Sequence, residues 1–310
     1  MEKVCKINCS PHIHSSETTG KIMFYVVISL IPALIGSIYF FGIYVLEVII
    51  ISIISCIVSE LLFKILTRKK IEVFDGSAIV TGILLAFVLP PRIPLWIAGI
   101  GGFLAIFLVK ELFGGIGFNI FNPALASRAI LLASYPVEMT KFIQPFDYRI
   151  DAITSATPLF IIKEKLNQQL PSLWQMFIGT RPGCIGETST LLLLIGGFFL
   201  IYKRVISWHI PFSYILTVAI LSLFFKQNIL CQIMGGGLIL GAFFMATDYV
   251  TSPITKKGKI IFGIGCGIIT FLIRKAGGYP EGVCYSILFM NSLVPMINRY
   301  TVPKKFGSKK

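Results

Sequence analysis

Long apolar stretches separated by short polar clusters run along most of the 310 residues. About twenty consecutive apolar residues cross a bilayer as one helix, and shorter or interrupted ones occur where helices break inside a membrane. The pattern predicts spans at Ile22–Phe41, Ile43–Leu66, Gly76–Leu89, Leu95–Leu112 and Phe118–Ser134. A polar stretch over 135–187 follows, and then spans at Ser189–Tyr202, Ile210–Phe225, Ile229–Ala246, Ile260–Ile273 and Val283–Ile297. The third, fifth and sixth are short or interrupted by Gly and Pro. The expected fold is an all-α polytopic membrane protein of about ten transmembrane helices, because only helices and closed barrels satisfy their backbone in lipid. The expected organisation is an N-terminal segment over 1–21, a five-helix unit over 22–134 and a loop over 135–187. A second five-helix unit over 188–298 and a basic tail over 299–310 complete it.

Composition agrees: 55% of the residues are apolar and 14% charged, so most helix faces must be apolar all round, which lipid requires and water does not tolerate. The net charge is +14. Its basic clusters (Arg68-Lys69-Lys70, Lys203-Arg204, Lys256-Lys257) fall between apolar stretches. That is the pattern of cytoplasmic membrane loops, not of a basic face for nucleic acid. With the N-terminus cytoplasmic, eighteen Lys and Arg lie on the cytoplasmic side against nine outside, with Arg128 left within a span. This bias predicts that both termini are cytoplasmic and that 135–187 lies outside. Residues 1–21 lack the basic start and short apolar run of a cleavable signal, so the first span is expected to remain as an anchor.

The chain also repeats itself. Ile97-x-Gly99-Ile100-Gly101, Phe107-Leu108-Val109-Lys110 and Gly114 recur 164 residues later as Ile261-x-Gly263-Ile264-Gly265, Phe271-Leu272-Ile273-Arg274 and Gly278. The span count places Lys110 inside and Arg274 outside, so the two copies run in opposite directions. A five-plus-five inverted repeat is expected, with broken helices and binding sites near the midplane. Candidate breaks are Leu89-Pro90-Pro91 with Pro94, Gly114-Gly115 to Asn122-Pro123, Thr247 to Pro253, and Gly277 to Gly282; each also reads as an ordinary loop end.

Of seven cysteines, Cys56, Cys231, Cys266 and Cys284 lie in apolar runs and read as core residues. Cys5 and Cys9 stand near His12 and His14 without an evident further ligand set, and no metal site is expected there. Intramembrane carboxylates are functional candidates by default. Asp75, Glu111, Asp248 and Glu281 are therefore candidates for an ion path, although each lies at a span end where it can reach water or cap a helix.

Between the halves runs Asp151-Ala152-Ile153-Thr154-Ser155-Ala156-Thr157-Pro158. Spacing alone describes a small, polar turn with three hydroxyls, in which small neighbours leave Thr157 accessible. This stretch resembles the flavinylation motif of the NqrB/RnfD family, an acidic residue followed by Ser or Thr and then Ala-Thr. Asp151 matches the acidic position, Thr154 the middle hydroxyl and Thr157 the attachment residue; Ser155 stands where many family motifs have Gly. Ser10-Pro11-His12, Asp75-Gly76-Ser77, Phe121-Asn122-Pro123-Ala124, Gly186-Glu187, Thr247-Asp248 and Gly278-Tyr279-Pro280-Glu281-Gly282 are similar to further family signatures.

The resemblance implies FMN joined covalently to Thr157 through a phosphoester made by a flavin transferase, and a second, non-covalent flavin such as riboflavin in the helical bundle. Arg128, alone within a span, then either pairs with an acid or holds an anionic group such as a flavin phosphate. The short N-terminal region makes the chain more similar to the D subunit of the Rnf complex. That resemblance implies Fe–S, NAD-binding and second flavinylated subunits as partners in a prokaryotic cell membrane, and coupling of electron flow between ferredoxin and NAD to sodium or proton movement. Such a subunit works inside a redox-driven translocase and is not expected to act alone. The alternatives are a component like the B subunit of a sodium-translocating NADH:quinone reductase, and a flavin-free solute transporter or channel. The segment ending at Thr157 discriminates, since a channel has no use for it.

Overall fold

Side chains that accept backbone hydrogen bonds start several of the helices. The computed structural model describes residues 18–68, 75–147, 155–164, 169–278 and 281–303. Thr18 caps α1 (Thr19–Phe41), and α2 (Tyr44–Leu66) follows after Gly42. α3 (Ser77–Phe87) starts at Gly76, and α4 (Leu95–Phe103) runs directly into a π-helical stretch, π1 (Leu104–Glu111). Asn122 accepts from the N–H groups of Ala124 and Leu125 at the head of α5 (Pro123–Ser134).

Three short helices, α6 (Pro136–Met139), α7 (Pro158–Glu164) and α8 (Leu173–Ile178), lead to the second half. There α9 (Thr190–Tyr202) and α10 (His209–Phe224) are followed by α11 (Ile229–Met234) and α12 (Leu238–Leu240). α12 runs into a second π-helical stretch, π2 (Gly241–Met245), before α13 (Lys256–Ala276) and α14 (Val283–Thr301). The protein is all-helical, with no strand among the described residues.

α1 and α2 are each long and apolar enough to cross a membrane, and α3, α5, α9 and α10 are shorter apolar helices. Two predicted spans differ in detail. Ile229–Ala246 is not one helix: α11 stops at Gly235, and Gly236 and Gly237 take positive φ (61° and 66°) before the chain turns helical again. Glycine reaches that region without steric cost, so the three-glycine run is where this helix breaks. Phe118–Ser134 becomes helical only at Pro123, because Asn122 caps and Pro123 needs no donor in the first turn.

In packing, α2 lies against α3 and α4, and α10 against α11 and α13; α1 meets α9, and α5 meets α14. One buried apolar core extends across both halves, from Leu30 and Val48 through Leu85 and Phe87 to Tyr214, Phe262 and Ile287. The outer faces are apolar too, with Phe24, Ile35, Ile54, Val58, Phe198 and Leu223 exposed.

Charge is also buried. Glu60 on α2 is fully enclosed and accepts from Lys64 Nζ (2.6 Å) and Lys110 Nζ (2.9 Å). Lys110 also donates to Ser77 Oγ (2.7 Å), and Ser77 donates from both N and Oγ to Asp75. The network ties α2, α3 and π1 together at one end of the first half. Removing one partner of a buried pair leaves the other charge uncompensated, at a cost of about 3–5 kcal/mol. Lys110→Met is therefore expected to lower the thermal unfolding midpoint of the detergent-solubilised protein markedly. The double variant Glu60→Gln/Lys110→Met should lose less than the sum of the single changes, because the two sites interact directly.

Candidate functional site

The connecting segment folds back onto the second half. Ser155 N donates to Phe142 O (2.7 Å), and Lys163 on α7 donates to the carbonyl of Gly277 beyond α13. Pro158 opens α7, so Thr157 occupies the position before the first turn; its carbonyl accepts from Ile161 N (3.0 Å) and its Oγ1 from Phe160 N (3.4 Å). Thr157 is only 6% exposed, so its hydroxyl is not open to bulk solvent as its small neighbours predict. It lies instead on the wall of a cavity of about 440 Å³, with Arg128, Phe142, Phe160, Glu281 and Tyr285. α7, which follows Thr157, packs against α11.

Arg128 on α5 forms an ion pair with Glu281, just before α14, and its Nη2 lies 3.5 Å from Cys184 Sγ. Its Nε is buried without a hydrogen-bond partner. Two further buried arginines serve the broken helix. Arg274 donates to the carbonyls of Gln232, Gly235 and Glu281. Arg181 donates to those of Met234, Glu187 and Thr188. These carbonyls include those of Gln232 and Met234 in the last turn of α11, where intrahelical partners run out. Glu187, between α8 and α9, accepts from Cys184 N (3.2 Å). Burial, with Glu281 adding to it, pushes its carboxyl up to about 7.

Of the residues singled out in the sequence, Thr157, Ser155, Arg128 and Glu281 come together around this cavity. Asp151 and Thr154 lie outside the described residues. Glu111 is buried 3.8 Å from Lys110, and Asp75 joins the same network through Ser77. Asp248 accepts from Thr251 Oγ1 (3.1 Å) and, with Lys110 and Asn122, lines a smaller cavity of about 110 Å³. Cys56, Cys184, Cys231, Cys266 and Cys284 are buried free thiols.

Residue pattern does not mark Arg181, Arg274 or the carboxylate of Glu187 as site residues. Arg181 and Arg274 count as outer loop charges in the topology, and Lys64 and Lys110 as inner ones, yet all four are buried. Two residues leave each side of the count. One signal is available in the sequence: Arg274 is the repeat counterpart of Lys110.

Comparison with known proteins decides the family. A family model described as the NQR2, RnfD, RnfE family matches residues 6–307. The chain belongs to that family. This NQR2, RnfD, RnfE family member is 48% identical over 306 residues to the D subunit of the Na(+)-translocating ferredoxin:NAD(+) oxidoreductase complex of Acetobacterium woodii, covering 98% of this chain and 96% of that one. It is 47% identical to the D subunit of the proton-translocating ferredoxin:NAD(+) oxidoreductase complex of Clostridium ljungdahlii, covering 100% and 98%. The D subunit of the ion-translocating oxidoreductase complex of Mannheimia succiniciproducens is 37% identical, covering 97% and 98%.

Two expectations follow from the geometry of this family member. A hydrogen bond to a charged group contributes about 1.5–3 kcal/mol, so Arg181→Met should speed amide exchange in residues 229–240 by about tenfold or more. Hydrogen-exchange mass spectrometry measures this. The second concerns Glu187. A carboxyl whose folded value lies at about 7 instead of 4.5 binds a proton in the folded state that the unfolded state has released. Stability should then fall as pH rises from 4.5 to about 7 and level off above. Glu187→Gln should remove that part of the slope in unfolding measured across pH.

Proposed function

We propose that the chain is the membrane D subunit of an ion-translocating ferredoxin:NAD oxidoreductase complex, carrying FMN through a phosphoester at Thr157 Oγ1. One observation carries the reading: the last hydroxyl-bearing residue of the flavinylation-like segment lines a cavity that also holds a buried arginine with an unpartnered Nε. The residues fit the group. A cavity of about 440 Å³ is within the range of cofactor sites, roughly 300–1,000 Å³ and mostly apolar with a few polar groups. Arg128 supplies positive charge for a phosphoryl group, and Phe142, Phe160 and Tyr285 supply flat apolar walls for a ring.

FMN, when bound, supplies one- and two-electron chemistry. The chain's residues hold it: Thr157 tethers, Arg128 neutralises, and the short helix α7, pinned by Lys163, keeps the attachment point against the second half. Tethering keeps a relay at high effective concentration near partner cofactors, and charges lining the cavity tune its potential.

The wider reading is a ten-span bundle with inverted halves. It is supported by the recurrence of partners, α2 with α3 and α4 matching α10 with α11 and α13. The cross-pairs α1 with α9 and α5 with α14 join corresponding elements of the two halves. Both termini lie in the cytoplasm on this reading, and the Thr157 cavity faces the outside of a prokaryotic cell membrane.

Asp75, Glu111, Asp248 and Glu281 are the ion-path candidates. The nearly equal similarity to a sodium-named and a proton-named relative supports coupling to one of these two ions without favouring either. A second, non-covalent flavin in the bundle and Fe–S, NAD-binding and second flavinylated subunits as partners belong to the same proposal, with a flavin transferase acting through the cavity mouth.

The protein produced with its flavin transferase should fluoresce as a flavoprotein on a denaturing gel, and Thr157→Ala should abolish the signal. A fluorescent Thr157→Ala band, or an unmodified mass for the wild-type peptide containing Thr157, would rule the assignment out.

A further inference from the structure

Beside the Thr157 cavity one arginine serves two carboxylates. An oxygen of Glu187, an oxygen of Glu281 and Cys184 Sγ all lie within 4.8 Å of one another. Arg128 pairs with Glu281. Among the described residues, Glu187 has no side-chain cation bonded to its carboxylate, which accepts instead from the backbone N–H of Cys184.

The other charges that face the pair are accounted for. Arg181, in the same loop as Glu187, and Arg274 on α13 both donate to backbone carbonyls of the broken helix and its neighbours. Cys284 on α14 donates to Leu125 O, and Cys184 and Cys231 are buried thiols.

Enclosure makes the second carboxylate costly. Glu187 is 6% exposed. Backbones press on it from two sides: a Cβ on Gly183 would stand 2.9 Å from Oε1, and one on Gly237 would stand 2.8 Å from Oε2. Glycine backbone therefore crowds both oxygens and limits the hydration that an unpaired anion needs. Two carboxylates this close, one of them enclosed, repel each other as anions, and that repulsion favours a proton on Glu187. The rise of the Glu187 carboxyl to about 7 is in line with this geometry. The third feature is the guanidinium itself. Arg128 is 8% exposed, touches both Glu281 and Cys184, and still has an unsatisfied Nε. Its charge is therefore shared between the pair on one side and whatever anion enters the cavity on the other.

We infer that Glu187 and Glu281, the latter on the wall of the Thr157 cavity, form a single-proton site, holding one proton between them. Arg128 links that proton to the charge in the cavity. An anion that draws on Arg128 leaves the pair less compensated, and the pair takes a proton from water in return; loss of the anion reverses this. No bond other than O–H is made or broken. The link to flavin rests on the reading that Thr157 carries FMN, whereas the shared proton does not.

Infrared spectroscopy of the purified full-length protein, titrated across pH, tests both parts. A carboxylic acid band should titrate near pH 7 in wild type and be lost in Glu187→Gln. In Glu281→Gln the arginine is freed for Glu187, and the midpoint should fall by about one unit or more, a tenfold loss of proton affinity. This second variant covers the case in which Glu187→Gln does not fold. A wild-type band that titrates only in the ordinary carboxyl range overturns the proposal. So does a midpoint that sodium chloride moves and choline chloride does not, since the pair would then bind a metal cation. Thr157→Ala separates the two readings. With FMN attached, wild type should titrate at higher pH than Thr157→Ala. Equal midpoints near pH 7 in the two proteins would remove the link to an anion in the cavity and keep the pair, and a flavin-free wild type would remove only the flavin.

Discussion

A helix that stops inside a bundle leaves its last carbonyls without partners, and in lipid no water stands by to replace them. Much of the second half is organised around that constraint. At the Gly235-Gly236-Gly237 break between α11 and α12, Arg274 and Arg181 bring guanidinium donors to the carbonyls of Gln232, Met234 and Gly235. Arg274 reaches them from the end of α13, and Arg181 from the loop before α9. The same two arginines reach the backbone of Glu281 and Glu187. Satisfying the break thus also fixes the two acids that stand beside the Thr157 cavity. Structural need and candidate chemistry share one set of side chains.

The first half solves a related problem with side-chain charges. Lys110 is the repeat counterpart of Arg274, but its ammonium meets Glu60 and Ser77 instead of carbonyls. An ammonium is a compact charge with three donors, whereas a guanidinium is a planar fork that can bridge several acceptors. The residue types fit the two tasks: Lys110 ties three helices at their side chains, and Arg274 spans a gap in a backbone.

Helix existence was legible from apolar runs, because lipid-facing and core-facing positions are both apolar and only the ends are marked by polar residues. The helix break at Gly235 to Gly237 was not, since three glycines inside an apolar run also suit close packing of continuous membrane helices. At the site, Thr157 and Ser155 were legible through family resemblance, and Arg128 and Glu281 through the rarity of charge near a span. Glu187 was legible only as part of a family signature, not as a buried acid. It lies in a polar stretch where a carboxylate is ordinary, and its burial is set by Gly183 and Gly237, the latter fifty residues further along the chain. Buried Lys64, Lys110, Arg181 and Arg274 were equally silent, because a charge count cannot tell a loop cation from one folded inward.

The π-helical stretch before Glu111 has a consequence for chain length. A π turn accommodates one more residue than an α turn, and each residue of an α-helix advances the side chains by about 100°. Leu104–Glu111 therefore holds a residue's worth of slack just ahead of Lys110 and Glu111. Deleting one residue there can close the π turn to an α turn and leave the later side chains in phase, whereas the same deletion in a regular α-helix would rotate them by about 100°. This segment can therefore lose one residue and still present its lysine to Glu60, a tolerance that α2 and α13 lack.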